Sequence, residues 1–238
     1  MSDADKPAVP TEVPSRIFLV AYPKVIFLYP TFITSLLVGS YFSLAGADAL
    51  DITNRMSVGL TTLFLAVFAV NMVVFSFDFP RTTSLTVFFL LAALVLGVVL
   101  LIQFYPELLP VMSRVLKSFH PLANATFFHL VSTILGLLFL AVFINAKFDY
   151  WEVRENELLH HHGFLSNLER YSAPSLRFSK EINDIFEYLL LGAGRLILHP
   201  SNEPRAIVLD NVLFITRKED QLTRMLGALQ VRIRPEKT

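Results

Sequence analysis

The sequence contains no cysteine. Disulfides, thiolate nucleophiles, cysteine-ligated zinc and iron–sulfur clusters are thereby excluded together. Charge is also scarce: 17% of the 238 residues are Asp, Glu, Lys or Arg, against about a quarter in a typical soluble domain. The charges cancel, 20 basic against 20 acidic, so no global field directs the chain to nucleic acid, and no nucleic-acid partner is expected. Catalytic signatures are missing too. Gly192-Ala193-Gly194 lacks the Lys and Ser/Thr of a phosphate loop and the spacing of a dinucleotide fingerprint. No Ser/His/Asp set or paired-carboxylate motif stands out, and no inverted repeat of the kind many transporters carry. The chain reads as non-enzymatic, with no cofactor expected.

What is abundant is apolar. Hydrophobic residues make up 54% of the chain, with 22 phenylalanines, and nearly all of this lies between Lys24 and Lys147. A hydrocarbon layer about 30 Å thick needs roughly 20 apolar residues in a helix. Four uncharged runs qualify, predicting spans at about 25–47, 57–77, 83–105 and 122–146. Lipid offers no partner to backbone N–H and C=O groups, so the spans must be helical. Lys6, Arg16, Lys24, Arg81, Lys147 and Arg154 fall on one side of this arrangement, and Arg55, Arg114 and Lys117 on the other. The bias predicts a multi-pass protein of the bacterial cytoplasmic membrane with both termini cytoplasmic. The tail to about Pro14 is rich in proline and charge and reads as disordered. Ile17–Pro23 is expected to lie along the membrane interface. Asp78-Phe79-Pro80-Arg81 is expected to be a tight turn. The segment between Pro106 and Pro121 has the spacing of a short interfacial helix or of a helix packed on the span ends.

Polar groups within spans are the next place to look for function. Asn71 and His129 are the intramembrane candidates, either as interhelical hydrogen bonds or as lining of a path.

After Lys147 the texture changes to short alternating runs. Residues 148–163 read as a strand, a turn at 154–157 and a second strand. Arg195–Leu198 and Ala206–Val212 read as further strands, and Leu222, Met225, Leu226 and Leu229 share one face of a closing helix. Within the triple histidine, His160 and His162 share a strand face and His161 points away. That pair can change charge near pH 6.5, or bind zinc or copper with Glu152 or Glu157 nearby on the hairpin, although no metal site is assigned from sequence.

Tyr150-Trp151-Glu152-Val153, Glu157-Leu158-Leu159 and His162-Gly163-Phe164-Leu165 resemble the opening hairpin of bacterial pleckstrin-homology-like (PH-like) domains. Glu181–Ile185, Leu191–Ile197 and Ile207–Val212 are similar to the middle of the same family, so the resemblance covers roughly residues 148–232. It implies a bent antiparallel sheet or partly open barrel closed by a C-terminal helix. It also implies a non-enzymatic domain beside transmembrane helices that often assembles into rings. The expected fold class is therefore a membrane protein: a tail and interfacial segment (1–23), a four-helix transmembrane region (24–147) and a small α+β PH-like domain (148–238). The expected function is an oligomeric scaffold or interaction platform. Its partners would be the lipid bilayer, further copies of itself and an unidentified protein. An oligomeric channel or transporter is the alternative.

Overall fold

The structure is a computed structural model that describes residues 14–46, 49–77, 79–80, 119–163, 167–172, 176–200 and 203–233, with scattered positions between 86 and 114. Among the described residues, three helices are long and apolar enough to cross a membrane. The first opens as a 3-10 turn at Lys24–Leu28 and continues as α1, Tyr29–Ala45. The others are α2, Arg55–Ser76, and α3, Ala125–Phe148. Asparagine sets both later starts. The Asn54 side chain accepts from the Met56 amide and that of Asn124 from the Phe127 amide, satisfying donors that a helix N-terminus leaves open. About half of the predicted third span, 83–105, and most of the segment 106–121 lie outside the described residues.

Helix α1 lies against both α2 and α3. Its buried stripe is Thr31, Ser35, Val38, Gly39 and Phe42. Small residues four apart let two helices approach closely, and a Cβ on Gly39 would sit 3.0 Å from the Phe128 Cβ. Phe42, Phe64 and Phe128 close this packing near Ala49 and Ala125. Outward, α3 exposes Leu130, Ile134, Leu137, Leu140 and Phe143. Such a continuous apolar face has no stable place in water.

The C-terminal part is built from antiparallel strands. Strands β2 (Tyr150–Arg154), β3 (Glu157–His162) and β4 (Asn167–Ser172) follow α3, and β5 (Arg177–Glu181), β6 (Gly194–His199) and β7 (Ile207–Val212) form a second sheet. A short helix, α4 (Ile185–Leu191), separates β5 from β6, and α5 (Ile215–Ile233) ends the described chain. Ile17, Val153, Leu158, Leu196, Leu209, Leu222 and Met225 belong to one core shared by both sheets and α5.

The N-terminal segment corrects the sequence reading. Arg16–Leu19, expected as part of an interfacial segment, is strand β1, paired antiparallel with β2 from Arg16↔Arg154 to Leu19↔Trp151. Its alternation explains why: Ile17 and Leu19 are buried in the shared core while Arg16 and Phe18 face out. The domain is thus discontinuous, with the apolar helices inserted between its first and second strands.

Candidate functional site

Two polar assemblies stand out, and the first joins the helices to the sheet domain. Asp184 caps α4: its Oδ1 accepts from the Phe186 amide (2.7 Å) and the Glu187 amide (3.1 Å). Its other oxygen accepts from the amide of Phe79, in the loop after α2, at 2.7 Å. The Phe79 carbonyl in turn accepts from the Ile185 amide, and the Phe79 and Phe186 rings meet edge to face at 5.0 Å. The approach to α1 is tied in as well. Lys24 pairs with Glu187 at 3.5 Å, and the Tyr29 hydroxyl donates to the Leu190 carbonyl. A β-bulge in β7 adds one more tie. The register against β6 shifts between Gly194 and Leu196, and Asn211 takes φ of 53°. An extra residue bends a strand and re-aims a side chain; here the Asn211 amide donates to the Tyr22 carbonyl at 3.0 Å.

Lys24, Asp184, Glu187 and Asn211 line a cleft of about 540 Å³ together with Arg195 and Asp210. Its charged groups are engaged: Asp184 caps α4 and Lys24 pairs with Glu187 in the joint, while Arg195 pairs with Asp210 within the second sheet. The arrangement is suited to holding two bodies together.

The second assembly is the histidine strand. His160 pairs across the ladder with Trp151 and with Glu169, and His162 with Asn167. His160 and His162 share the face of Leu158, which points into the core, so they continue the inner face past its apolar row. The Trp151 ring stacks on His160 with centroids 4.0 Å apart, and His160 stacks on His162 at 4.8 Å. His160 Nε2 lies 3.1 Å from Asp149 Oδ1, and its Nδ1 3.6 Å from Glu169 Oε2. Glu169 accepts from the Tyr171 hydroxyl, and this bond, with a smaller contribution from His160, outweighs burial and holds the carboxyl below its ordinary range.

The acid partners differ from those expected. Glu152 lies on the opposite face, buried beside Arg154 (2.9 Å) and His161 (3.3 Å). Burial pushes its carboxyl up, but the Arg154 hydrogen bond and charge, with His161, outweigh burial and hold it below the ordinary value. Glu157 sits at the far end of β3, opposite Ser172 and 4.0 Å from Arg170. Asp149 and Glu169 are the acids that meet the histidine pair.

The intramembrane candidates are each engaged. Asn71 is buried and donates to Thr31 Oγ1 at 2.8 Å, linking α2 to α1. His129 Nε2 shares a hydrogen bond with Ser43 Oγ at 2.9 Å, linking α3 to α1. Asn71, His129 and the His160–His162 pair are not brought into one site. In comparisons with protein-family models, curated proteins and solved structures, nothing matches this chain.

Proposed function

We propose that the chain is a four-span membrane protein whose PH-like C-terminal domain is fixed against the bilayer surface and acts as an oligomeric scaffold. The observation that carries this reading is the pairing of β1 with β2. These strands flank the whole apolar region, and their ladder keeps both ends on one side of it. Phe79 bonds α4, so the end of α2 is on that side too. The start of α3 packs with Ala49 at the opposite end. A further crossing between Pro80 and Leu122 would account for these contacts together. The uncharged run from Thr82 to Pro106 is about 25 residues long, roughly 37 Å as a helix, enough for that crossing.

The PH-like assignment is supported by the four-stranded and three-stranded antiparallel sheets sharing one core, and by α5, which buries Ile215, Leu222 and Met225 in it. Self-association is supported by β4, a sheet edge exposed along most of its length; such an edge offers unpaired backbone groups to a second copy. A channel is less well supported, because Asn71 and His129 are both spent on interhelical hydrogen bonds.

The cysteine-free chain is a clean background for the test. In oriented vesicles, an impermeant maleimide should label Lys117→Cys from one side and Arg205→Cys from the other. Leu168→Cys at the β4 edge should form a disulfide-linked dimer on oxidation, and light scattering in mild detergent should give a multiple of the chain mass. Labelling of positions 117 and 205 from the same side would overturn the four-span arrangement. A strict monomer at all concentrations would overturn the scaffold.

A further inference from the structure

The geometry points to a zinc site at the membrane-facing end of the four-stranded sheet, with His160, His162 and Glu169 as protein ligands. One nitrogen from each histidine and one carboxylate oxygen of Glu169 lie within 4.8 Å of one another. Ligand atoms of a tetrahedral zinc ion, at about 2.0–2.2 Å from the metal, are about 3.4 Å apart. The His160 Nδ1 to Glu169 Oε2 separation of 3.6 Å is already close to that value. The widest separation needs to close by at most about 1.4 Å, a motion of the size that side-chain rotation of the half-exposed Glu169 and of the His162 ring supplies.

Three features set this cluster apart from an ordinary polar surface. Asp149 is the first. A carboxylate only accepts, so the 3.1 Å contact with Asp149 takes a proton on His160 Nε2 and leaves Nδ1 as the nitrogen that faces Glu169. In the neutral imidazole the Nδ1 lone pair faces a carboxylate oxygen, an arrangement that a cation between them satisfies. A carboxylate behind a ligating imidazole is also the usual outer partner of a zinc histidine. His162 is the second: its Nδ1 is buried and has no hydrogen-bond partner among the described residues, a cost that a bound ion removes. The third is rigidity. His160 is held between Trp151 and His162 by ring stacking, so one ligand is already positioned before the ion arrives.

The donor set selects the ion. Two imidazoles and one carboxylate suit zinc, whereas calcium and magnesium take oxygen ligands. Three protein ligands leave a fourth position for water, which suits a reversible site better than a closed structural one. Asp149 is also the residue that ends α3. An ion here would fasten the β3–β4 hairpin to the point where the last apolar helix enters the sheet.

The test uses the full-length protein, untagged and stripped with EDTA, in detergent or nanodiscs. Trp151 is the only tryptophan in the chain, and its stack on His160 makes its emission a local reporter. Zn²⁺ is titrated against a competing indicator, and Cu²⁺ serves as a paramagnetic quencher. The expected result is one Zn²⁺ per chain, with Cu²⁺ quenching of Trp151 that saturated Zn²⁺ prevents and EDTA reverses. His162→Ala and Glu169→Gln should each weaken Zn²⁺ binding by about tenfold or more, and Asp149→Asn by about tenfold. Circular dichroism and unfolding temperature should remain those of the parent, and His199→Ala, on the other sheet, should leave binding unchanged. Zn²⁺ that binds no tighter to the parent than to the His160→Ala/His162→Ala double variant would overturn the proposal, as would Cu²⁺ quenching that Zn²⁺ does not compete.

Discussion

Asp184 is the residue on which the joint between helices and sheet domain turns, and its two oxygens can be separated experimentally. One oxygen caps α4; the other takes the Phe79 amide. Removing a cap costs about 1 kcal/mol. Losing the buried acceptor of the Phe79 amide costs about 1–3 kcal/mol. Asp184→Ala loses both, so opening of the joint should be easier by about 2–4 kcal/mol. Asp184→Asn keeps the capping oxygen but turns an NH₂ group toward Phe79, where two donors face each other, and should lose only the second contribution. Hydrogen exchange of the full-length protein in nanodiscs reads the two effects at different amides. At about 1.4 kcal/mol per factor of ten, Asp184→Asn should speed exchange at Phe79 by roughly 5- to 100-fold while Phe186 and Glu187 change little. Asp184→Ala should speed all three. Exchange at Phe79 within twofold of the parent in Asp184→Asn would refute the claim that this bond holds the domain to the helices.

Other expectations follow from single contacts. Gly39→Ala should destabilise the helical region by about 1–3 kcal/mol through overpacking, because its new methyl meets Phe128 and His129. Gly59→Ala, with open space around it, should be neutral or gain up to about 1 kcal/mol; thermal unfolding in detergent compares the two. A double-mutant cycle of Asn71→Leu with Thr31→Ala should give a coupling of about 0.6–1.7 kcal/mol, and zero coupling would show that their 2.8 Å contact contributes nothing. Glu152 carries a pH signature. Its carboxyl is held below the ordinary value of 4.5, so its contribution is fully present above about pH 4.5 and is lost as pH falls through the folded value. Denaturant midpoints at neutral and acid pH should show a smaller acid loss in Glu152→Gln than in the parent.

The apolar helices were legible because run length alone identifies them. Their starts were displaced by two or three residues because Asn54 and Asn124, rather than the hydropathy, decide where the helices begin. The hairpin of β2 and β3 was readable from alternation. Strand β1 was not, since Ile17–Leu19 reads equally well as an interfacial segment and its partner is far away in sequence. Helix α4 carries its signals in the sequence, a capping Asp184 and a left-handed Gly192 after the last turn, although Gly192-Ala193-Gly194 reads first against phosphate-loop and dinucleotide patterns. Thr31, Ser35 and Gly39 share one buried stripe of α1 that run length alone does not reveal. Glu169 was missed because face depends on register. The ladder sets Trp151, not Glu152, opposite His160, and a one-residue difference sends the side chain to the other side of the sheet.

The interrupted domain also dictates an order of assembly. Strand β1 is made first and has nothing to pair with until β2 is synthesised. At about 5–20 residues per second, the roughly 130 residues between Leu19 and Tyr150 impose a wait of about 7 to 26 seconds. Every apolar segment leaves the ribosome in that interval. A chain threaded with one end stranded on the wrong side would keep β1 from its partner and leave the inner face that Ile17 and Leu19 cover open to solvent. Completion of the sheet therefore acts as a proofreading step on membrane insertion, and a misthreaded chain would present an unpaired apolar strand to chaperones and proteases.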